Sequence, residues 1–354
     1  MNSSKHIRLL LHSSQLSNRG DSVNASNYAR AMKQFYNIDS VICYPATSPD
    51  NSPFKISELL SAGFFLVPYS SASELHSIGK SLGITHAYFL IDGTYNPLWV
   101  KNARLINHSV FNFYEPHGDK YGYVSEWLFK RALRTKVMRN SISNIAKLRG
   151  ATGSPYGIDK ALSVSWVPHC VYPMHGDGRY FRRKHGISES AKLVGRIGGY
   201  SQFNEIAAWK AVQAILRTNS ETVFCFVNTM KFVDHPRAIF LDVISRSEVW
   251  DFYCAGDLFL NGRLAGESFG FSIVEPLSVG KPVMAPSRLR NWSMDLHHVD
   301  LLGELGLTYW STFDLVRKIQ RYLFDPPSPS LLIGVVDKFS PRKVADRFMT
   351  EFLL

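Results

Sequence analysis

Two glutamates, Glu267 and Glu275, stand eight residues apart in the second half of this 354-residue sequence. A short apolar segment, Leu258–Leu260, leads into a glycine-bounded loop that carries the first glutamate, and an apolar helix-like segment carries the second. Eight residues make slightly more than two helical turns, so both carboxylates can lie on one side of the element. Carboxylates placed in this way can accept hydrogen bonds from the hydroxyl groups of a ligand.

Small residues surround the first glutamate, at Gly266, Ser268 and Gly270. They let backbone N–H groups approach a ligand closely, and the N-terminus of a helix at this point favours an anionic phosphate. The segment therefore predicts a phosphate site flanked by two hydroxyl-binding carboxylates, which is what a nucleotide-sugar needs. The alternative is a buried strand, turn and helix in which Glu267 only caps the helix, but it leaves the second glutamate unexplained.

The segment resembles the E-x7-E signature of GT-B glycosyltransferases, in particular the retaining enzymes of family 4. It has Glu-Ser-Phe-Gly-Phe from Glu267 and then Glu-Pro-Leu-Ser-Val-Gly-Lys-Pro-Val from Glu275. The family pattern is Glu-x-Phe-Gly followed by Glu-Ala-x-Ala-x-Gly-x-Pro-Val. The departure is Pro276, which we expect in the first turn of the helix, where the missing N–H of proline has little effect.

The resemblance implies an α/β protein with the GT-B fold: two Rossmann-like domains face a cleft, and the C-terminal helix crosses back to the N-domain. The N-terminal acceptor domain would cover 1–170 with the helix 340–354, and the C-terminal nucleotide-sugar donor domain would cover 185–335. The implied activity is metal-independent, retaining transfer of a sugar from a nucleotide-diphospho-sugar to a glycan, lipid-linked or other acceptor. The nucleotide-sugar is a substrate, and no cofactor is expected.

The resemblance also assigns roles to residues of this sequence. Glu267 would hold the hydroxyls of the donor sugar, and Arg196, in Val194-Gly195-Arg196, would hold the diphosphate. The expected catalytic residues are Glu267, Arg196 and His117, with Gly20 and Asp119 on the acceptor side. The expected donor-binding residues are Glu275 for the ribose, Ser268, Phe269, Gly270, Phe271, Arg263, Gly198, Gly199, Asn228 and Ile244. Gln202 stands about where the family has a second phosphate-binding lysine, and Arg263 or Lys281 are candidates to supply that charge.

Short apolar segments alternate with longer helical ones, which is typical of α/β layers with parallel sheets. The predicted strands are Ile7–Leu11, Val41–Tyr44, Phe64–Val67, His86–Ile91, Val110–Tyr114, Lys192–Val194, Thr222–Val227, Ile239–Val243, Asp257–Asn261 and Pro282–Ala285. The predicted helices are Asn24–Phe35, Ser73–Leu82, Val124–Ile145, Gly157–Leu162, Phe203–Leu216, Glu248–Ala255, Ser272–Ser278, Thr312–Phe324 and Pro341–Leu354.

The composition is that of a globular protein with a net charge of +11. Seven Lys or Arg residues and no acid lie in Lys130–Arg149, which favours peripheral contact with an anionic membrane. The stretch lacks interleaved aromatic residues, so nucleic acid is not expected as a partner. Four scattered cysteines and no apparent signal peptide predict a cytoplasmic protein, with membrane association left open.

Two other interpretations remain open. Gly266-Glu267-Ser268-Phe269-Gly270 matches the G-x-S-x-G pattern of serine hydrolases, which would make Ser268 the nucleophile, with Asp295 and His297 or His298 as partners. Alternatively, the chain is a GT-B nucleotide-binding or scaffold protein without transfer activity. The sequence contains no D-x-D motif, which argues against the metal-dependent GT-A class.

Overall fold

A computed structural model describes residues 7–113, 115–134, 164–289 and 295–354. The chain divides into two compact units. Unit 1 comprises Met1–Cys170 together with Pro341–Leu354, and unit 2 comprises Val171–Ser340. No helix within the described ranges is both long enough and apolar enough to cross a membrane.

Each unit contains a parallel sheet. Within the described residues, unit 1 has β1 Leu9–His12, β2 Ser40–Pro45, β3 Phe65–Tyr69, β4 His86–Ile91, β5 Arg104–Ser109, β6 Lys120–Tyr123 and β7 Val164–Trp166. Unit 2 has β8 Lys192–Ile197, β9 Thr222–Val227, β10 Ala238–Leu241, β11 Leu258–Leu260, β12 Gly266–Glu267, β13 Val283–Pro286, β14 Asp295–Leu296 and β15 Thr308–Tyr309.

The helices that follow or connect these strands are α1 Gly20–Tyr36, α2 Pro53–Ser61, α3 Ala72–Ser81, α4 126–134, α5 Gly178–Lys184, α6 Ile206–Thr218, α7 Arg246–Ala255, α8 Phe271–Ser278, α9 His297–Leu302, α10 Thr312–Tyr322, α11 Pro329–Val336 and α12 Pro341–Phe348. Several begin at a serine whose hydroxyl accepts a backbone N–H of the first turn, as Ser71, Ser245 and Ser311 do. Such caps satisfy amides that have no partner inside the helix.

The strand order is the same in both units. The sheet of unit 1 runs β3-β2-β1-β4-β5-β6-β7, and the main sheet of unit 2 runs β10-β9-β8-β11-β13-β15. When the strands of each of these two sheets are numbered by themselves along the chain, the first six positions have the order 3-2-1-4-5-6, which is the Rossmann order. Ligands of such sheets bind outside the carboxyl ends of the strands where the order reverses, which in unit 2 is between β8 and β11.

The C-terminal segment packs within unit 1, as the resemblance implies. The ring of Phe348 lies 4.7 Å from that of Tyr28, and the ring of Phe352 lies 5.1 Å from that of His108. The Tyr36 hydroxyl donates to Asp346 Oδ1 at 2.7 Å. Buried aromatic contacts of this kind hold the end of the chain against the sheet of unit 1.

Some predicted elements differ from the structure. The strand predicted at Val110–Tyr114 is wrong: β5 ends at Ser109, and the described residues that follow form a loop. The apolar run after Ser109 misled the prediction, because β5 itself carries the polar residues Asn107 and His108, which lie buried in the sheet. Of the predicted helix Val124–Ile145, the described part is helical over 126–134, and the rest lies outside the described residues, as does Gly157–Leu162.

We expect the fold to lose stability in mild acid because of His108. Burial lowers the pKa of His108 from 6.5 to about 4, so the unfolded chain binds a proton at a pH where the folded chain does not. Stability is therefore lost as the pH falls below 6.5, by roughly 2 kcal/mol at about pH 5 from this residue. Urea unfolding at pH 8 and pH 5 measures the loss.

The matched variant is His108→Asn, since its side chain can keep a partner for the Tyr88 hydroxyl, which lies 2.8 Å from His108 Nδ1. This variant should reduce the difference in unfolding free energy between pH 8 and pH 5 by roughly 2 kcal/mol. An unchanged difference would show that His108 does not carry the effect. Part of the acid sensitivity should remain, because burial also lowers the pKa of His12 to about 4.

Candidate functional site

Glu267 lies in β12, immediately after the loop that follows β11, and its side chain is almost fully buried. Its Oε1 accepts a hydrogen bond from Asn261 Nδ2 at 2.9 Å, and its Oε2 pairs with Arg263 Nη1 at 3.2 Å. Both partners come from the carboxyl end of β11. The carboxylate is thus held in one orientation at the point where the strand order of unit 2 reverses.

The N-terminus of α8 lies directly against this glutamate. Gly270 precedes the helix with φ 82°, and a Cβ on it would come 3.1 Å from the Cβ of Glu267, so glycine fits both the backbone conformation and the space. The amides of Ile273 and Val274 donate to the Gly270 carbonyl. Within the described part of the chain, the amides of Gly270 and Ser272 make no hydrogen bond. These amides are donors available to an anion at the positive end of the helix.

Arg196 is the next-to-last residue of β8, on the other side of the reversal point, and is 4% exposed. Its Nη1 donates to the Asn228 carbonyl at 3.0 Å and to Thr229 Oγ1 at 2.7 Å, and its Nη2 donates to the Gly199 carbonyl at 3.0 Å. All three partners are neutral. No carboxylate of the described residues lies within ion-pair distance of this guanidinium.

These contacts use three of the five N–H donors of the guanidinium. Nε–H and one Nη2–H of Arg196 make no hydrogen bond within the described residues. Burial lowers the pKa of Arg196 from 12.5 to about 10, while the charge of Glu267 opposes that shift, so the side chain is cationic at neutral pH. Burying a cation without an ion pair costs free energy, because the charge loses its hydration, unless an anion binds beside it.

The loop after β8 and the end of β9 hold Arg196 in place. Asn228 has a left-handed backbone with φ 47°; its carbonyl accepts from Arg196, and its Nδ2 donates to the Gly198 carbonyl at 2.9 Å. Gln202 folds back over Gly199, where an added Cβ would lie 2.6 Å from the Gln202 Cδ. The predicted residues Gly198, Gly199 and Asn228 are therefore brought together around Arg196.

Glu275 lies in α8 with its side chain 2% exposed. Arg246, the first residue of α7, binds both carboxylate oxygens, with a distance of 3.1 Å from Nη1 to Oε2. The Tyr253 hydroxyl donates to Oε2 at 3.0 Å. Sequence reasoning missed both partners, because α7 is far from Glu275 along the chain and nothing in its local pattern marks Arg246. Ile244, predicted to lie beside the base, stands in the loop two residues before Arg246.

Pro276 corrects one expectation. Helix α8 begins at Phe271, so Pro276 is its sixth residue and not part of the first turn. Its missing N–H would otherwise have bonded to the Ser272 carbonyl. The helix ends at Ser278, only two residues later, so the gap in its hydrogen bonds falls close to its C-terminus.

The residues between Glu267 and the start of α8 differ in burial and in the contacts that they make. Phe269 is buried, and its carbonyl accepts a hydrogen bond from His297 Nδ1 at 3.0 Å, which anchors the loop. The side chain of Phe271 packs against Phe269 at 5.1 Å between ring centroids. Ser268 makes no hydrogen bond to a histidine in the described part of the chain, and His298 Nε2 bonds to the Pro286 carbonyl. The hydrolase interpretation therefore has no base for Ser268 in this conformation.

The cations proposed to replace the missing lysine lie in different places. Arg263 pairs with Glu267 and is part of the site. Lys281 comes two residues before β13, at the amino end of the sheet, and its charge interacts with that of Asp257, the residue before β11. Because the strands are parallel, Lys281 lies at the end of the sheet opposite Arg196 and cannot supply the second phosphate contact.

The three predicted residues of unit 1 are in loops or at a helix start. His117 uses both ring nitrogens: Nε2 accepts the Asn96 backbone N–H at 3.0 Å, so Nδ1 carries the proton and donates to the Glu115 carbonyl at 2.7 Å. Neither nitrogen is left for a sugar hydroxyl in this conformation. Asp119 accepts the backbone N–H of Leu105 at 2.7 Å, and Gly20 is the first residue of α1. Their roles towards an acceptor stay predictions.

No family model matches the chain, and no curated protein matches it in sequence. Solved structures do match it over nearly their whole length. A glycosyltransferase from Rickettsia africae has a TM-score of 0.66 at 12% identity and covers 98% of both chains. HepE from Anabaena, solved in complex with UDP-glucose, has a TM-score of 0.69 at 12% identity and covers 98% of this chain and 99% of its own.

A sucrose-phosphate synthase from Thermosynechococcus elongatus is also similar, with a TM-score of 0.52 at 13% identity over 98% of this chain and 95% of that one. The chain has the GT-B fold. At these identities the similarity establishes the fold alone. The described part of this GT-B protein contains no group of three or more side chains placed to hold a metal ion.

Proposed function

We propose that this GT-B protein is a glycosyltransferase that takes its sugar from a nucleotide-diphospho-sugar. The observation that carries the proposal is Arg196, a buried cation that forms no ion pair within the described residues and whose two remaining N–H donors lie at the point where the strand order of unit 2 reverses. The unpaired amides at the start of α8 and the carboxylate of Glu267 belong to the same site. A ligand that joins an anion to a hydroxyl-bearing group could bind both, with the anion at the N–H donors and the hydroxyls at the carboxylate.

The diphosphate would bind to Arg196 and to the amides of Gly270 and Ser272. Nε–H and Nη2–H of an arginine form a fork that matches two oxygens of one phosphate. When the bond between the anomeric carbon and the diphosphate oxygen breaks, negative charge builds on that oxygen. Donors fixed in advance around it stabilise the transition state without reorganising, and each contributes on the order of 3 kcal/mol.

Glu267 would bind the hydroxyls of the donor sugar, with Asn261 and Arg263 fixing its orientation. Glu275 would bind the ribose, and Arg246 would orient its carboxylate. The resemblance to family 4 supports retention of the anomeric configuration by attack on the face that the diphosphate leaves, with no protein nucleophile and no metal. A glycan or a lipid-linked sugar is the acceptor that this resemblance implies.

Calorimetry with UDP and with GDP tests the proposal first, followed by a thermal-shift screen across nucleotide-sugars. UDP-glucose is the first donor to test, because HepE was solved with it. Bound donor should raise the melting temperature, by an amount that grows with the logarithm of its concentration once that concentration exceeds Kd. Transfer to an acceptor panel, with the product anomer assigned by NMR, tests retention. Nucleotide binding without hydrolysis or transfer would support the scaffold alternative, and the absence of any nucleotide binding would refute both.

Changing Gln202 to lysine should tighten UDP binding about fivefold, because an ammonium group would be added near the diphosphate that Arg196 binds. Gln202 is exposed and lies against Gly199, whose carbonyl accepts from Arg196, so the longer side chain has room to reach the phosphate. Calorimetry at low and high salt measures the gain, which should shrink as salt screens the new charge. Gln202→Met, of similar length and without charge, is the control. Equal affinities of the two variants would place the diphosphate elsewhere.

A further inference from the structure

Unit 2 carries four large apolar side chains that are unusually exposed: Ile206 at 58%, Leu264 at 41%, Trp310 at 57% and Phe313 at 76%. We call them the apolar patch. They come from three separate segments of the chain, all at the carboxyl end of the main sheet. Single exposed apolar residues are ordinary, but a cluster of this kind marks an interaction site.

Hydrogen bonds show that these segments are neighbours. The Leu264 amide donates to Asn204 Oδ1 at 2.9 Å, which joins the loop after β11 to the start of α6, where Ile206 lies. Thr312 Oγ1 donates to the Ala207 carbonyl at 3.4 Å, which joins the start of α10 to the same point. The segments that carry the four exposed side chains therefore lie next to one another.

Cations follow the apolar residues along both helices. In α6, Lys210 lies one turn after Ile206 and Arg217 about three turns after it, so all three share one face. In α10, Arg317 lies one turn after Phe313, and Arg321 follows one turn later. All four cations are exposed. Both helices lie wholly within the described residues and expose no carboxylate, since Asp314, their one acidic residue, is buried.

We propose that unit 2 binds an anionic membrane surface through the apolar patch. The patch would enter the boundary between headgroups and acyl chains, and the cations of α6 and α10 would contact lipid phosphates. Tryptophan and phenylalanine favour that boundary, and the net charge of +11 attracts the whole chain to such a surface. A nucleic acid fits less well, because Ile206 and Leu264 cannot stack on bases and the aromatic residues are not interleaved with the cations.

The apolar patch shares no residue with Lys130–Arg149, the stretch from which the sequence predicts membrane contact, and 135–149 of that stretch lie outside the described residues. It also does not depend on the proposed transferase activity. Sedimentation with vesicles can therefore fail while nucleotide binding succeeds, and the reverse result is equally possible. The two proposals are tested separately.

The experiment is co-sedimentation of the full chain with vesicles of phosphatidylcholine, and with vesicles in which one third of the lipid is phosphatidylglycerol. The parent protein should bind the anionic vesicles and not the neutral ones. Trp310→Ser with Phe313→Ser should lower the partition coefficient at least tenfold. The matched control is Trp99→Ser with Phe54→Ser, since these unit 1 residues are 54% and 61% exposed. The control should bind like the parent.

Lys210→Ser with Arg317→Ser should weaken binding about fivefold for each charge removed. Lys130→Ser with Arg134→Ser, in α4, is the comparison for unit 1. Melting temperature and circular dichroism report whether every variant is folded. Failure of the parent to bind anionic vesicles overturns the proposal. Binding that is lost only in the α4 variant, or that depends on the cations and not on Trp310 and Phe313, overturns it as well, the latter in favour of a general polyanion surface.

Discussion

Replacing Arg196 by glutamine should lower the affinity for UDP or GDP about a hundredfold, which corresponds to about 3 kcal/mol. The reason is the loss of the two charge-assisted hydrogen bonds that the remaining N–H donors of Arg196 would make to the diphosphate. Glutamine keeps an amide that can bond to the Asn228 carbonyl, so the loop should stay in place. Calorimetry on the folded variant measures the loss, and sugar transfer should fall by a similar factor or more.

Arg217→Gln is the control for net charge, because Arg217 is an exposed residue of α6 outside the site. It should leave nucleotide affinity unchanged. Glu267→Ala distinguishes binding of the phosphate from binding of the sugar. This variant should keep or gain affinity for UDP, since a carboxylate near the phosphate is removed, and it should lose its preference for a sugar-bearing nucleotide together with transfer. Parental affinity for UDP in Arg196→Gln would remove the main support for the proposed function.

The site could be predicted from the sequence where its parts are close along the chain. Glu267, Gly270 and the start of α8 lie within a few residues of one another, and local chemistry alone indicates a strand, a tight glycine turn and a helix. Arg196 could be predicted for a different reason: it stands between glycines at the end of an apolar strand, and strand ends of parallel sheets are where ligands bind. Local patterns of this kind can be recognised in the sequence without knowledge of the fold.

Long-range partners could not be predicted. Arg246 is separated from Glu275 by 29 residues, and only the packing of α7 beside α8 brings them together. The strand at Arg104–Ser109 was missed for a related reason, since its buried polar residues are satisfied by groups distant in sequence. His108, for example, contacts the Tyr88 hydroxyl on β4. The hydrophobicity pattern of a single segment does not reveal contacts with side chains that are distant in sequence.

Pro276 shows a third limit of prediction from the sequence. The sequence pattern places a proline after Glu275 but does not fix where the helix begins, and helix boundaries are the least certain part of any such prediction. The structure starts α8 at Phe271, so the carboxylate of Glu275 lies in the second turn and faces α7 rather than the loop. That geometry makes the Arg246 pair possible.

Removing Arg246 should destabilise unit 2 by about 3 kcal/mol, because it leaves the charge of Glu275 buried without a counter-ion. The Arg246 side chain is 20% exposed and that of Glu275 is 2% exposed, so water cannot replace the lost partner at the carboxylate. Urea unfolding of Arg246→Ala, followed by tryptophan fluorescence, measures the loss. Arg342→Ala is the control: its partner Asp346 is 46% exposed, and an exposed pair of this kind is worth less than about 1 kcal/mol.

A double-mutant cycle identifies the cause. Glu275→Gln should cost less than Arg246→Ala, since the glutamine carbonyl still accepts the Tyr253 hydroxyl and the arginine can turn towards solvent. Combining the two changes should recover about 1–2 kcal/mol relative to Arg246→Ala alone, because no buried charge remains. Strict additivity would mean that Arg246 stabilises unit 2 through its contact with the Trp250 ring, 5.3 Å away, and not through Glu275. In that case Arg246 could not be the residue that orients the carboxylate for the ribose.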